Sequence, residues 1–184
     1  GSLDISTDIL VIGAGPGGYT AAIRAAKHGR EVVVVDKDGE LGGICLHHGC
    51  IPTKTLIHST NFSHVIEELE HTGITIPDVT VDFKKIQAHK DSVIDTLEAG
   101  VKGIFNRTGI ELIKGLASFE SATKVHVSGQ SDVTSITFKE CIIATGSQPI
   151  TLPAFPLSHE RIMSSRGLLQ LQEIPSKLVI IGGG

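Results

Sequence analysis

Two cysteines separated by four residues, Cys45-Leu46-His47-His48-Gly49-Cys50, form the segment with the most chemistry in it. Residue types alone leave three readings open. The first is a redox disulfide. Residues five apart on an α-helix lie about 140° apart around the axis, too distant for a relaxed bridge, which wants Cα atoms within ~7 Å. A bond between these sulfurs therefore requires irregular backbone, which Gly49 can supply. So small a ring is expected to be labile, as reactive disulfides are. Cys50 stands just ahead of a helix start marked by Pro52, where the dipole favours a thiolate. The second reading is two unrelated buried thiols acting as small apolar side chains. The third is a metal site built from Cys45, His47, His48 and Cys50. One short loop can hardly wrap all four around a tetrahedral ion, whose ligands usually come as two separated pairs, so no metal is expected. Lys54, four residues past Cys50, is either a solvated helix-face lysine or one that reaches a cofactor ring. Cys141, inside an apolar run, reads as an inert core residue.

The elements that must position these residues are legible from glycines and apolar runs. Gly13-x-Gly15-x-x-Gly18 lies between an apolar run at 8–12 and an alanine-rich stretch at 19–28 that Gly29 stops. Residues 32–35, all valine, form a second buried strand ended by Asp36, eighteen residues past Gly18. Strand, glycine turn, helix and strand within about 30 residues make a βαβ unit, which implies a parallel sheet. In that setting Gly13 permits the tight turn, Gly15 lets the backbone approach a pyrophosphate, and Gly18 lets helix and strand pack. Free N–H groups at the helix start face the phosphates. Asp36 would accept from a ribose 2′-hydroxyl and repel a 2′-phosphate, which disfavours NADP. The pattern does not separate FAD from NAD.

Further along, 54–70 reads as one helix and 83–107 as one long helix or two. Gly100 and Gly103 each weaken the latter by ~1 kcal/mol relative to Ala, or allow close packing. Residues 124–128 and 134–138 alternate about Gly129-Gln130-Ser131-Asp132 and read as a hairpin within a small meander. Residues 141–144 read as a buried strand leading into Thr145-Gly146-Ser147, and Pro149, Pro153 and Pro156 mark a linker. Residues 178–181 then look like a new buried strand before Gly182-Gly183-Gly184, in the pattern of 10–15. The fold class is thus α/β: a Rossmann-like parallel sheet with flanking helices and a three-stranded antiparallel meander. The expected division is a nucleotide-binding unit at 1–150, a linker at 151–176, and the first strand and glycine turn of a second dinucleotide unit at 177–184.

Composition narrows the classes further. The chain has 184 residues, a formal charge of −4 and a pI near 6.1. That mild acidity argues against nucleic acid or an anionic membrane as partner, since both need a basic face. No apolar run approaches the ~18 residues that span a bilayer, and the start shows no secretory signal. Three cysteines do not make the framework of a disulfide-stapled secreted domain.

Residues 42–54, Gly42-Gly43-Ile44-Cys45-Leu46-His47-His48-Gly49-Cys50-Ile51-Pro52-Thr53-Lys54, resemble the active-site segment of the pyridine nucleotide–disulfide oxidoreductases. Gly-Cys-Ile-Pro-Thr-Lys is closest to the dihydrolipoamide dehydrogenase branch and less like the glutathione and mercuric reductases. The resemblance runs through the whole chain: the Gly13–Gly18 fingerprint, Asp36, the cysteine segment, Gly115-Leu116-Ala117, Ala144-Thr145-Gly146-Ser147, and 178–184. It implies that Gly13, Gly15 and Gly18 bind FAD rather than the nicotinamide. Gly43, Thr145 and Gly146 would line the same site, and Ala117 would hold the adenine through its backbone. Asp36 stands where the family usually has Glu. Cys45 would be the interchange thiol, Cys50 would lie against the flavin, and Lys54 near its reactive nitrogen. Electrons would pass from a dithiol to Cys45–Cys50, then to FAD, then to NAD+.

The implied substrate is a lipoyl-bearing protein or a small disulfide or dithiol. The implied setting is a homodimer within a 2-oxo acid dehydrogenase complex, cytoplasmic or in a mitochondrial matrix. Alternatives are another flavin disulfide reductase or mercuric reductase, or a non-catalytic nucleotide-binding module whose cysteines hold metal. Intact family members are longer. The rest of the NAD domain, a later strand of the FAD site and the dimerisation domain with its His–Glu base would lie outside this chain, which alone is expected to be inactive. His47-His48 replaces a more usual Asn-Val type pair.

Overall fold

The structure, a computed structural model, describes residues 3–129 and 133–182. Strand β1 (Leu3–Ile12) leads into helix α1 (Pro16–Lys27) and strand β2 (Val32–Asp36). The cysteine segment lies in two short helices, α2 (Gly43–His48) and α3 (Cys50–Thr60), and α4 (Phe62–His71) follows them. After a connection without helix or strand comes the long helix α5 (Phe83–Thr108). The chain then forms β3 (Glu111–Lys114), β4 (Leu116–Ser121), β5 (Lys124–Ser128) and β6 (Val133–Ile143), and a short helix α6 (Ser165–Leu169).

The strands make one sheet in the order β3-β2-β1-β6-β5-β4. β1 pairs in parallel with β2 and β6, and β2 in parallel with β3. The β6–β5 and β5–β4 pairs are antiparallel. The expected α/β class is therefore observed. Alternation along the strands explains why 9–12 and 32–35 carry no polar residue. Leu10, Ile12, Val33 and Val35 face one core, with Val125, Val127, Ile136 and Phe138 from the meander. Ile9, Val11, Val32 and Val34 face the other, with Ala22 of α1 and Phe105 of α5. A strand covered on both faces must be apolar throughout. Each Val or Leu so buried stabilises the fold by roughly 1.5–3 kcal/mol.

Several boundaries differ from expectation. The run at 134–138 and the run at 141–144 are parts of one strand, because β6 pairs with β5 over its first half and with β1 along its whole length. The single helix expected at 54–70 begins at Cys50 and is broken at Asn61, whose N–H bonds to the His58 carbonyl three residues back at 3.3 Å. Residues 83–107 form one helix, ended by Gly109 at φ +69°. The expected buried strand at 178–181 does not form. Leu178, Val179, Ile180 and Ile181 are 45–76% exposed, and none is hydrogen-bonded to a neighbouring strand. A parallel strand needs flanking strands to satisfy its backbone, and the described residues supply none there. The tip of the expected hairpin at 130–132 and the glycines 183–184 lie outside the described residues. Among the described residues, no helix is long and apolar enough to cross a membrane.

Candidate active site

Three glycines at the end of β1 divide by what a side chain would meet. Gly13 turns the chain at φ +102°, and a Cβ there would overlap the Ala144 carbonyl. A Cβ at Gly18 would overlap the Gly13 carbonyl, so α1 packs directly on the turn. A Cβ at Gly15 would meet nothing within 4 Å. Gly15 is thus not required by packing and leaves open space before the helix start. It is also the N-cap of α1, makes no side-chain capping bond, and the first turn holds no acidic residue. Unpaired N–H groups and the positive end of the helix dipole therefore face that space. A pyrophosphate fits this donor set.

Asp36 braces the turn from the end of β2. Its Oδ2 accepts from the Ala14 N–H at 2.9 Å, and its Oδ1 accepts from Asp38 at 2.9 Å and Gly39 at 3.1 Å. Oδ2 keeps capacity for one further bond, such as a sugar hydroxyl would make. Gly115 N–H bonds to the Asp36 carbonyl at 2.9 Å, which brings the start of β4, with half-buried Ala117, to the same end of the sheet. Thr145 and Gly146 leave β6 beside Gly13, and Gly146 takes φ +70°.

The cysteine segment is fastened to this turn. Gly42 N–H donates to the Ala14 carbonyl at 2.9 Å. Gly43, at φ +56°, comes so close to Gly15 that a Cβ would stand 2.7 Å from the Gly15 Cα. Helix α2 therefore starts against the start of α1. It ends at His48, and Gly49 (φ −146°, ψ −103°) departs from helical values before α3 begins at Cys50. Cys45 and Cys50 are disulfide-bonded with Cα atoms 4.7 Å apart. An uninterrupted helix would hold them about 9 Å apart. The irregular residue expected at Gly49 is what makes the bridge possible, although the backbone on both sides is helical rather than a loop.

The two sulfurs have different surroundings. Cys45 is half-buried and lines an apolar cleft of about 200 Å³ with Pro16, Tyr19, Leu46, Ile51, Leu97 and Val101. Gly42 completes the lining, and no charged residue belongs to it. Cys50 is exposed, and Lys54, also exposed, lies one turn further on the same face of α3. His47 donates from Nε2 to the Leu41 carbonyl at 2.8 Å. His48 is held below its ordinary value by burial and by the nearby positive charge of Arg166 and imidazole of His47, against a smaller opposing effect of Glu40. The metal reading loses its ligands: the sulfurs are joined to each other and His47 is engaged with the backbone. Among the described residues no group of three or more His, Cys, Asp or Glu could hold an ion. Cys141 is a free, half-buried thiol whose burial raises its pKa.

Sequence reasoning named Gly42 within the cysteine segment without a role of its own, and missed the cleft wall formed by Tyr19, Leu97 and Val101. Leu97 and Val101 were visible only as apolar positions of a helix, and nothing local says that this helix passes the disulfide.

Fold and site together define an α/β protein with a parallel sheet and a disulfide fastened beside the glycine turn that follows its first strand. Residues 7–184 match the family model described as pyridine nucleotide-disulphide oxidoreductase. The dihydrolipoyl dehydrogenase of Bacillus subtilis (strain 168) is 51% identical over 187 residues, covering 100% of this chain and 39% of the relative. That of Geobacillus stearothermophilus is 48% identical with the same coverage of both chains. The solved Cu(II) complex of the HOCl-induced flavoprotein disulfide reductase RclA from Escherichia coli superposes with a TM-score of 0.75 at 28% identity, over 92% of this chain and 35% of that one. The chain belongs to the pyridine nucleotide-disulphide oxidoreductases. It spans about two fifths of the length of the curated relatives it matches.

Proposed function

We propose that this chain is the FAD-binding, disulfide-bearing portion of a dihydrolipoamide dehydrogenase that passes electrons from a dithiol to NAD+. The observation that carries the reading is the Cys45–Cys50 disulfide tied by backbone to the open start of α1. Gly13, Gly15, Gly18 and Gly43 with Thr145 and Gly146 would hold FAD, Asp36 its adenosine ribose, and Ala117 its adenine. When bound, FAD supplies the two-electron relay between the thiols and the nicotinamide. The cleft beside Cys45 favours an uncharged disulfide ring such as a lipoyl group over glutathione, because its lining carries no charge to pair with a peptide's carboxylates. A substrate thiolate attacks Cys45, the Cys45–Cys50 bond breaks, and Cys50 leaves as thiolate. The second substrate thiol then closes the substrate's own disulfide and releases Cys45. The substrate is oxidised by two electrons, which both cysteines carry. Exposed Cys50, beside Lys54, is the sulfur that would face the flavin.

Residues 1–150 are read as the FAD-binding unit, 151–176 as a linker and 177–184 as the opening of the NAD-binding unit. Gly182, at φ +92°, follows its apolar run as Gly13, at φ +102°, follows β1. In the longer protein we infer a homodimer serving a lipoyl-bearing protein of a 2-oxo acid dehydrogenase complex, in the cytoplasm. The test is a substrate panel on the full-length enzyme. NADH should form from dihydrolipoamide and NAD+, while glutathione disulfide and mercuric ion should support little oxidation of NADH or NADPH. Preference for either of the latter would overturn the assignment.

A further inference from the structure

Lys90 and Gln87 are buried on α5, each 5% exposed, although neither touches the disulfide cleft. Lys90 Nζ donates to the Leu169 carbonyl at 2.9 Å, and Gln87 Nε2 to the Leu171 carbonyl at 2.9 Å. These bonds reach across 79 and 84 residues of chain. Lys90 also pairs with Asp91 at 3.1 Å, while Oε1 of Gln87 is buried with no partner among the described residues. A lysine is seldom buried, because its ammonium loses water, and it is kept only where something replaces that water. Here the replacement is the last carbonyl of α6, an unpaired acceptor at the negative end of the helix.

The held segment has little else to fix it. α6 contributes no buried residue, and 151–161 is exposed. On its other side α6 approaches α2, and Arg166 is close enough to lower the pKa of His48. Just beyond Leu171 the chain reaches the exposed apolar run 178–181 and its positive-φ glycine, Gly182. The anchor therefore holds the stretch of chain that runs from α6, which lies beside α2, toward the apolar run at 178–181.

We infer that Lys90 and Gln87 are positioning residues that fix the linker through Leu169 and Leu171, and so set where the nucleotide-binding unit beginning near Leu178 sits against the redox centre. The inference rests on the function proposed above. It separates two half-reactions: delivery of electrons by NADH depends on the linker, and exchange of a dithiol with Cys45 does not.

The test uses full-length enzyme carrying Lys90→Met or Gln87→Leu, near-isosteric changes that leave a linker carbonyl without its donor. Flavin reduction is followed anaerobically after rapid mixing with NADH or with dihydrolipoamide. NADH reduction should slow by about tenfold, since a displacement near 1 Å far from the chemistry can cost that much or more. Dihydrolipoamide reduction should stay within about twofold. Lys90→Arg, which keeps a cationic donor, should recover most of the loss. Equal slowing of both halves, or of neither, would overturn the inference. Tryptic cleavage after Arg166 and Lys177 gives an independent reading: it should be faster in Gln87→Leu, which lacks one bond only, and an unchanged rate would also overturn it. A wild-type enzyme that NADH cannot reduce would instead sink the proposed function, and the cleavage rates would then decide the anchor by themselves.

Discussion

Gly18 and Gly15 are the same residue type three positions apart, yet the structure asks for them for different reasons. A methyl group at Gly18 would overlap the Gly13 carbonyl. Gly18→Ala in the full-length enzyme should therefore lose about 1–3 kcal/mol of stability, read from the denaturation midpoint. Gly15→Ala should keep that midpoint in the flavin-free form and lose affinity for FAD, because its Cβ would meet no protein atom within 4 Å and would project into the space proposed for the cofactor. Identical behaviour of the two variants would contradict this division. His48 gives a pH-dependent counterpart. Burial and Arg166 depress its pKa below 6.5, so the unfolded chain takes up this proton more readily than the folded one. Its contribution is present above pH 6.5 and is lost as the pH falls through the lower folded value. His48→Gln should show a smaller drop in Tm between about pH 7 and 5 than the parent, and an equal drop would remove His48 from the account. At this scale much was readable beforehand. Cysteine spacing called for irregular backbone, which Gly49 could supply. The three backbone amides held by Asp36 were not readable, because they depend on how the turn closes over the end of β2.

Among the elements, the strands were the most legible, since burial on both faces leaves an unbroken apolar run in 9–12 and 32–35. Helix α5 was less so, because two glycines interrupt its pattern. Gly100 is exposed and a Cβ there would meet nothing within 4 Å, so close packing does not explain it. Gly100→Ala should raise stability by about 0.5–1 kcal/mol, and a loss would show that the helix needs flexibility there. Gly103 differs, with the Arg107 guanidinium 3.3 Å from a built Cβ. The break between α2 and α3 could be foreseen as irregular backbone, but not as two helices meeting end to end. What decides that is the fastening of Gly42 to Ala14 and of Gly43 to Gly15, contacts far apart in sequence. The strand expected at 178–181 fails for the complementary reason: its pattern is that of a strand, but the described residues offer it no pairing partner.

At the scale of the whole molecule, large apolar side chains stand exposed at one end of the sheet and in the segment beyond it. Ile143 is 64% exposed, Ile150 83% and Val179 76%, at the sheet end that carries the glycine turn and in the segment beyond it. Relatives more than twice as long have chain available to cover such residues. The 184-residue chain is accordingly expected to hold FAD more weakly than the full-length enzyme, as measured by flavin retained after gel filtration. Equal retention would contradict that expectation. Thiol reactivity should separate the cysteines in either form: before reduction only Cys141 is free, and its raised pKa makes alkylation slow, whereas reduction exposes two faster thiols. The central claim is that Cys45 and Cys50 exchange electrons with a flavin bound beside them. It is tested most directly by anaerobic two-electron reduction of the full-length enzyme while its visible spectrum is recorded. The account predicts a long-wavelength absorption band from the Cys50 thiolate against the flavin, retained in Cys45→Ser, which should lose turnover, and absent in Cys50→Ser. A band that survives in Cys50→Ser, or none in the parent enzyme, would contradict it.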